Sequence, residues 1–185
     1  MRTHDHATNH WITRAEIGAD IPTIREISLA AFETPAEADL IDALRADASW
    51  IDGLSLVSTD EDGELIGHAL LTRCHIDDTP ALCLGPVAVR PECQRTGAGS
   101  AAIRAALKAA KDMGEYYVTV LGHPPYYPRF GFTRASTHNI GLTIDVPDEA
   151  MMAMSLDASH PLPSGTVRYA APFGIPTSKR PRGRG

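Results

Sequence analysis

The rhythm of apolar and polar positions changes repeatedly along this 185-residue chain, and each change predicts an element. Trp11 to Ile17 reads as a first strand. Asp20 stands where a helix cap belongs, with Pro22 in the first turn and Ile21, Ile24, Ile27, Leu29 and Phe32 supplying apolar faces. A second helix is predicted from about Pro35 to Ala46, with Leu40, Ile41 and Leu44 turned inward. Leu54 to Ser58 predicts a strand, Asp60-Glu61-Asp62-Gly63 a polar hairpin turn, and Glu64 to Ile76 the returning strand. A turn at Asp77-Asp78-Thr79-Pro80 leads into a strand from Ala81 to Val89. Proline has no amide hydrogen for a ladder, so Gly85-Pro86 predicts a bulge or splay within that strand.

The longest helix is predicted from near Gly97 to Met113-Gly114. Ile103, Ala106, Leu107 and Ala110 form its apolar stripe, and Gly114 falls at the C-terminal cap position. Tyr116 to Leu121 is almost wholly apolar and β-rich, which suits a buried central strand. Residues 81–121 therefore read strand, helix, strand, the pattern of a right-handed parallel crossover. Pro124 to Phe130 predicts a short helical turn stopped by Gly131, and the remainder to about Ala171 mixed strand and turn. The organisation expected is a flexible N-terminus over 1–10, one folded domain over 11–175 and a basic flexible tail over 176–185.

Composition removes several classes of function. With 43% hydrophobic and 22% charged residues the chain is globular, and its length suits one domain. No apolar run nears the ~20 residues of a membrane span. None follows Met1-Arg2-Thr3-His4-Asp5-His6 as in a secretory signal, so a cytoplasmic protein without a membrane partner is expected. The 17 basic and 23 acidic residues give a net charge of −6. Lys179, Arg180, Arg182 and Arg184 crowd the end, which leaves residues 1–178 with 13 basic against 23 acidic side chains, a net −10. So acidic a body repels phosphate backbones and draws basic substrates such as amines; nucleic acid is not expected as the main partner. The tail either stays solvated or docks onto the acidic neighbouring subunit of a homodimer. Cys74, Cys83 and Cys93 form no CxxC pair and read as free thiols in a reducing compartment. His4, His6 and His10 fit a frayed terminus better than a metal site, and no metal is expected.

The candidate chemistry sits in Gln94-Arg95-Thr96-Gly97-Ala98-Gly99, between a predicted strand and a predicted helix. Such a loop aims several backbone N–H groups at one anion, and the helix dipole adds positive potential there. Glycine lets a phosphate approach without a Cβ in the way. Gly97 to Ala102 also fits the GxGxxA dinucleotide fingerprint, but the context rejects it. Seven residues, Arg90 to Thr96, separate the strand from the first glycine, and the next strand ends Val120-Leu121-Gly122-His123 with no acid for a ribose. The lysine of a Walker loop is absent too.

The run Val87-Ala88-Val89-Arg90-Pro91-Glu92-Cys93-Gln94-Arg95-Thr96-Gly97-Ala98-Gly99 resembles the acetyl-CoA signature of the GNAT N-acetyltransferase superfamily, Q/R-x-x-G-x-G/A between a strand and a helix. Pro125 to Phe132 resembles the family's Tyr-x-x-x-Gly-Phe segment. It is most similar to a bacterial subgroup with Leu-Gly-x-Pro-x-Tyr-Tyr-x-Arg-Phe-Gly-Phe, here Leu121 through Phe132. The resemblance is sharp over residues 82–132, compatible in element order from about residue 11, and weak beyond 140. It implies an α/β fold, a GNAT-like mixed, strongly twisted sheet with helices on both faces.

The resemblance also implies roles. Acetyl would pass from acetyl-CoA, the cosubstrate, to a primary amine on a small molecule or protein. Backbone groups of Val87 and Val89 would bond the pantetheine arm, and an amide near Val87 or Ala88 would face the thioester oxygen. N–H groups of Arg95, Thr96, Gly97, Ala98, Gly99 and Ser100, in the loop that begins at Gln94, would hold the pyrophosphate. Tyr127 occupies the position of the tyrosine that protonates the departing thiolate. A phenol near ~10 can hand a proton to a thiolate whose conjugate acid lies near ~8.5–10. Its other reading is a core aromatic. Glu33, Glu92, His68, His123 and a water relay stay open as the general base. An acyl carrier at Cys83 or Cys93 lacks a base nearby in sequence. Two rival readings keep the fold: a non-catalytic acyl-CoA sensor or interaction module, and a toxin acetylating aminoacyl-tRNA, against which the acidic body argues. The acceptor site is expected in residues 32–52 and 138–175.

Overall fold

The computed structural model describes residues 10–178. The expected flexible N-terminus and basic tail fall, apart from His10 and residues 176–178, outside the described residues. The chain runs β1 (Ile12–Ala15), α1 (Ile21–Ala31), α2 (Ala36–Arg45), β2 (Ser55–Thr59), β3 (Leu65–Ile76), β4 (Thr79–Val89), α3 (Ala98–Asp112) and β5 (Tyr117–Leu121). Four short strands follow: β6 (Thr133–Arg134), β7 (Ile140–Gly141), β8 (Met151–Ser155) and β9 (Gly165–Arg168). The sheet order is β1-β2-β3-β4-β5-β8-β6, with β9 pairing the far end of β3 and β7 pairing β9. Among the described residues only β4–β5 and β7–β9 pair in parallel, so β4, α3 and β5 make the expected parallel crossover.

Strand alternation sends side chains to two packed faces. Leu54, Leu56, Ala69, Leu71, Leu82 and Leu84 meet the apolar stripe of α3 (Ala102, Ile103, Ala106, Leu107 and Ala110). On the other face Val57, Leu70 and Ala88 meet Ile24 and Ile27 of α1 and Ile41 and Leu44 of α2. Each large aliphatic side chain buried this way contributes roughly 1.5–3 kcal/mol. Alanine-rich α3 has high helix propensity. Gly97 starts it at φ +93° and Gly114 ends it at φ +84°, its N–H bonding Lys111 C=O at 3.0 Å.

Several expectations need correction. The first strand is only Ile12–Ala15, and all four residues are exposed, because β1 is an edge strand paired on one side with β2. Asp20 does not cap α1 with its side chain. Arg14 holds the carboxylate at 2.6 and 3.0 Å, and the Ile17 N–H donates to it at 2.7 Å. Leu29 is 44% exposed, leaving Ile24 and Ile27 as the inward positions of α1. The turn after β3 closes in Asp77-Asp78, with Asp77 at φ +50°, so Thr79 and Pro80 already belong to β4. Alternation turns the Pro80 nitrogen away from β3, and β5 begins to pair only at Leu82, so no ladder bond is lost.

The bulge at Gly85-Pro86 is present. Ala69 faces Val87 while Leu71 faces Leu84, which sets two residues of β4, Gly85 and Pro86, against one of β3, Leu70. On its other side β4 pairs with β5 only through Leu82, Cys83 and Leu84. Beyond that point the two strands part, and Gly85–Val89 has a free edge.

Candidate active site

The free edge has a definite polarity. The Arg90 N–H donates to Ile66 C=O of β3 at 2.9 Å. Alternation therefore turns the backbone of Val89, and of Val87 two residues earlier, away from β3 toward the open side. Ala88, opposite His68, turns its backbone to β3 and its side chain into the α1/α2 face. Of the two amides expected near a thioester, Val87 remains available and Ala88 does not.

At the far end of this edge the chain winds into the start of α3. Arg95 at φ +64° and Gly97 at φ +93° curl the loop, and the Thr96 hydroxyl bonds Cys93 C=O. The first bond of the helix runs from Ala101 N–H to Gly97 C=O at 2.9 Å. The N–H groups of Ala98, Gly99 and Ser100 thus lie outside the helical ladder. Two braces fix the loop. The Trp11 indole N–H donates to Thr96 C=O at 3.0 Å, and the Ser58 hydroxyl donates to Ala98 C=O at 2.9 Å. The second needs Gly67, since a Cβ there would lie 2.5 Å from Ser58 Oγ and 3.2 Å from Ala98 O.

A cleft of about 510 Å³ opens on this helix start. Of the residues singled out from sequence, Val89, Gln94, Arg95, Gly97, Ala98, Gly99 and Ser100 line it, as do Cys93 and His123. Val87, Ala88, Thr96 and Tyr127 do not. The sequence reading missed Tyr126 and Arg129, which close the opposite side with Pro125. Tyr126 and Ser100 join hydroxyls at 2.8 Å across the cleft, and Arg129 stacks over the Tyr126 ring at 4.4 Å. Their signal lay in the Tyr-Tyr-x-Arg run itself.

Tyr127 lies at the end of β5. A Cβ at Gly122 would come within 2.3 Å of its ring, so the glycine is what lets the ring cross there. Its neighbours are Tyr126, edge-on at 5.2 Å, and Phe132, edge-on at 5.9 Å. Burial pushes the phenol up to about 12, and no hydrogen bond among the described residues opposes the shift. The group is therefore a loaded proton donor at neutral pH.

The other ionisable candidates sort by position. Glu33 is exposed past the end of α1, and Glu92 is exposed in the turn before the loop. His68 is wholly buried beside Ser55, whose Oγ lies 2.7 Å from Nε2. Burial, reinforced by the nearby Arg45 charge, lowers it to about 3, and it has no path to a substrate. Cys83 is buried and its thiol is pushed well up by burial, which opposes a thiolate carrier. Burial raises the Cys93 thiol as well.

The description "Acetyltransferase (GNAT) family" matches residues 21–132, more than half the chain. The chain belongs to the GNAT family. It is 37% identical over 172 residues to YjhQ of Escherichia coli strain K12, named an uncharacterized N-acetyltransferase, covering 89% of this chain and 94% of that one. YhbS of the same strain, also named an uncharacterized N-acetyltransferase, is 31% identical over 131 residues, 70% of this chain and 77% of that one. Two GNAT crystal structures superpose closely. E. coli YhbS in complex with CoA gives a TM-score of 0.83 at 26% identity, covering 96% of this chain and 99% of that one. A Brucella melitensis GNAT acetyltransferase in complex with acetyl-CoA gives 0.72 at 28% identity, covering 89% and 99%. The fold class expected from sequence holds: a mixed, twisted GNAT sheet with helices on both faces.

Proposed function

We propose that this GNAT acetyltransferase moves acetyl from acetyl-CoA to a primary amine, on a small molecule or a protein, by direct attack in a ternary complex. The observation that carries the reading is the continuity of the free β4 edge with the open N–H groups at the start of α3. Val87 and Val89 offer backbone donors and acceptors to the pantetheine amides as a neighbouring strand would. The N–H groups of Ala98, Gly99 and Ser100, with the helix dipole behind them, take the pyrophosphate. The Val87 amide faces the thioester oxygen, where negative charge grows as the amine attacks.

The amine nitrogen bonds to the thioester carbon, the carbon–sulfur bond breaks, and the thiolate takes the phenolic proton of Tyr127; the proton that the nitrogen sheds as it becomes an amide passes through solvent and restores the phenol. A phenol near 12 is a weak acid, but the burial that raises it also raises the basicity of a thiolate leaving beside it. The attacking ammonium first loses a proton. Of the four side-chain candidates His123 is the one that lines the cleft, and it shares this role with solvent. An oriented amine needs no covalent enzyme intermediate.

The segments expected from sequence to hold the acceptor share a hydrophobic cluster. Phe32 and Trp50 from 32–52, with Phe173 from 138–175, pack against one cluster that includes Ala88 of the splayed strand. An acidic body draws a cationic amine toward it. No helix among the described residues is long and apolar enough to cross a membrane; the free thiols of Cys74, Cys83 and Cys93 support the reading of a reducing cytoplasm. The test is release of free coenzyme A from acetyl-CoA with a panel of small amines and basic peptides. Amine-dependent release supports the reading. Tight acetyl-CoA binding with no acetylated amine in any arm would identify a non-catalytic acyl-CoA module instead.

A further inference from the structure

The cleft is electropositive in an acidic protein. Its lining includes Arg95 and Arg129 and no carboxylate, although residues 1–178 carry 13 basic against 23 acidic side chains. Among the described residues, the salt bridges occupy Arg14, Arg25, Arg45, Arg73, Lys108, Arg134 and His160, and neither Arg95 nor Arg129 is among them. Arg129 is nevertheless held in place. Its Nε–H donates to Tyr126 C=O at 2.8 Å, its guanidinium lies 4.4 Å over the Tyr126 ring, and that ring is anchored by the hydroxyl contact with Ser100 at 2.8 Å. These contacts use the Nε face and leave the two terminal nitrogens for a ligand. A guanidinium fixed in this way, with a free pair of N–H groups, matches a dianionic phosphate monoester in a bidentate contact.

Coenzyme A offers one such group beyond the pyrophosphate. The open N–H groups at the start of α3 serve the two linked phosphoryl groups, which leaves the third, a dianionic monoester, to a charged side chain. Pro125 on the opposite wall has none to give. We propose that Arg129 binds the 3′-phosphate of the coenzyme A ribose and makes the enzyme prefer coenzyme A over dephospho-coenzyme A, with Arg95 adding to the positive field from the loop. This rests on the acetyl-CoA reading of the cleft.

Titration calorimetry of the full-length protein with coenzyme A and with dephospho-coenzyme A tests it. The wild type is expected to bind coenzyme A about tenfold tighter, near 1.4 kcal/mol, a preference that shrinks with added salt. Arg129→Gln is expected to bring the preference below about twofold while leaving dephospho-coenzyme A affinity unchanged. Arg104→Gln is the control. This exposed arginine stacks at 4.9 Å on Phe130, next to Arg129 in sequence, but does not line the cleft, and its loss leaves the preference intact. Equal binding of the two ligands by the wild type, or a preference that survives in Arg129→Gln, overturns the proposal while the acetyl-CoA reading stands. Failure of both ligands to bind the wild type overturns both.

Discussion

Around Ala88 the two faces of the sheet are built from opposite materials. The α3 face is almost wholly apolar, built of aliphatic side chains with Phe130, Phe132 and Met152, and apart from the Ser58 brace its free polar groups belong to the backbone of Val87, Val89 and the first turn of α3. The α1/α2 face buries polar side chains. His68 sits there with Ser55, and Arg45 is held by Glu16 at 2.5 Å and by the Trp50 ring at 4.6 Å. The Ser28 and Thr72 hydroxyls are buried there without a protein partner. A surface made of backbone depends little on pH and constrains sequence only where a Cβ would intrude. A surface made of buried polar side chains depends on pH and carries desolvation costs. The first suits a fixed cosubstrate, the second a more specific and more fragile neighbour.

The largest effect expected concerns Tyr127, the side chain proposed to donate the proton at the backbone-built half. Tyr127→Phe removes one hydroxyl from a well-packed ring, so the fold and most acetyl-CoA affinity stay. Steady-state kinetics should show kcat lowered by about 10²–10⁴ with the Michaelis constant for acetyl-CoA little changed. The loss should shrink with acyl donors whose thiol leaves more readily. Wild-type turnover in a folded Tyr127→Phe protein would return this residue to a packing role.

The next effect separates the two faces by pH. His68 has its folded pKa near 3, below the ordinary 6.5 of the unfolded chain. Between these values the unfolded state binds the extra proton. Stability from a neutral His68 is thus full above about pH 6.5 and is lost as pH falls toward 3. Urea unfolding at about pH 8 and about pH 5 should differ by about 2 kcal/mol from this group alone. His68→Leu should flatten that part of the curve; an equal slope in the variant would show that the acid sensitivity arises elsewhere.

A smaller effect sharpens the contrast between neighbouring tyrosines. Tyr126→Phe breaks the hydroxyl contact with Ser100 and keeps Tyr127. About 1 kcal/mol of stability and a few-fold in acetyl-CoA affinity should go, with kcat retained. A kcat loss as deep as that of Tyr127→Phe would mean that the proton donor has been assigned to the wrong ring.

The backbone-built half was legible in the sequence for the same reason that it is proposed to hold a cosubstrate. Holding a pyrophosphate on N–H groups requires glycine at Gly97, a helix start at once after it, and a strand before it, and each requirement shows as a residue type at a fixed spacing. What binds that half together was not legible. Trp11 and Thr96 meet across 85 positions, Gly67 reads as an ordinary glycine in a strand until Ser58 and Ala98 lie against it, and Gly122 is special only because Tyr127 folds back over it. Asp20 looked like a cap because nothing local announced Arg14 as its partner. The strands β6, β7 and β9 have two to four residues each, too few to show a period, and their pairing is set by distant partners. The segments proposed to hold the acceptor share this difficulty: Phe32, Trp50 and Phe173 pack against one cluster through tertiary contacts that no spacing encodes.

The central claim, that the free β4 edge and the start of α3 hold acetyl-CoA through backbone groups, can be read amide by amide. Hydrogen exchange followed by NMR, with and without saturating acetyl-CoA, should show strong new protection at the Val87, Val89, Ala98, Gly99 and Ser100 amides. Ala88, already bonded toward His68, should exchange slowly in both states. Unchanged exchange at those five amides, with protection appearing elsewhere in the sheet, would contradict the account.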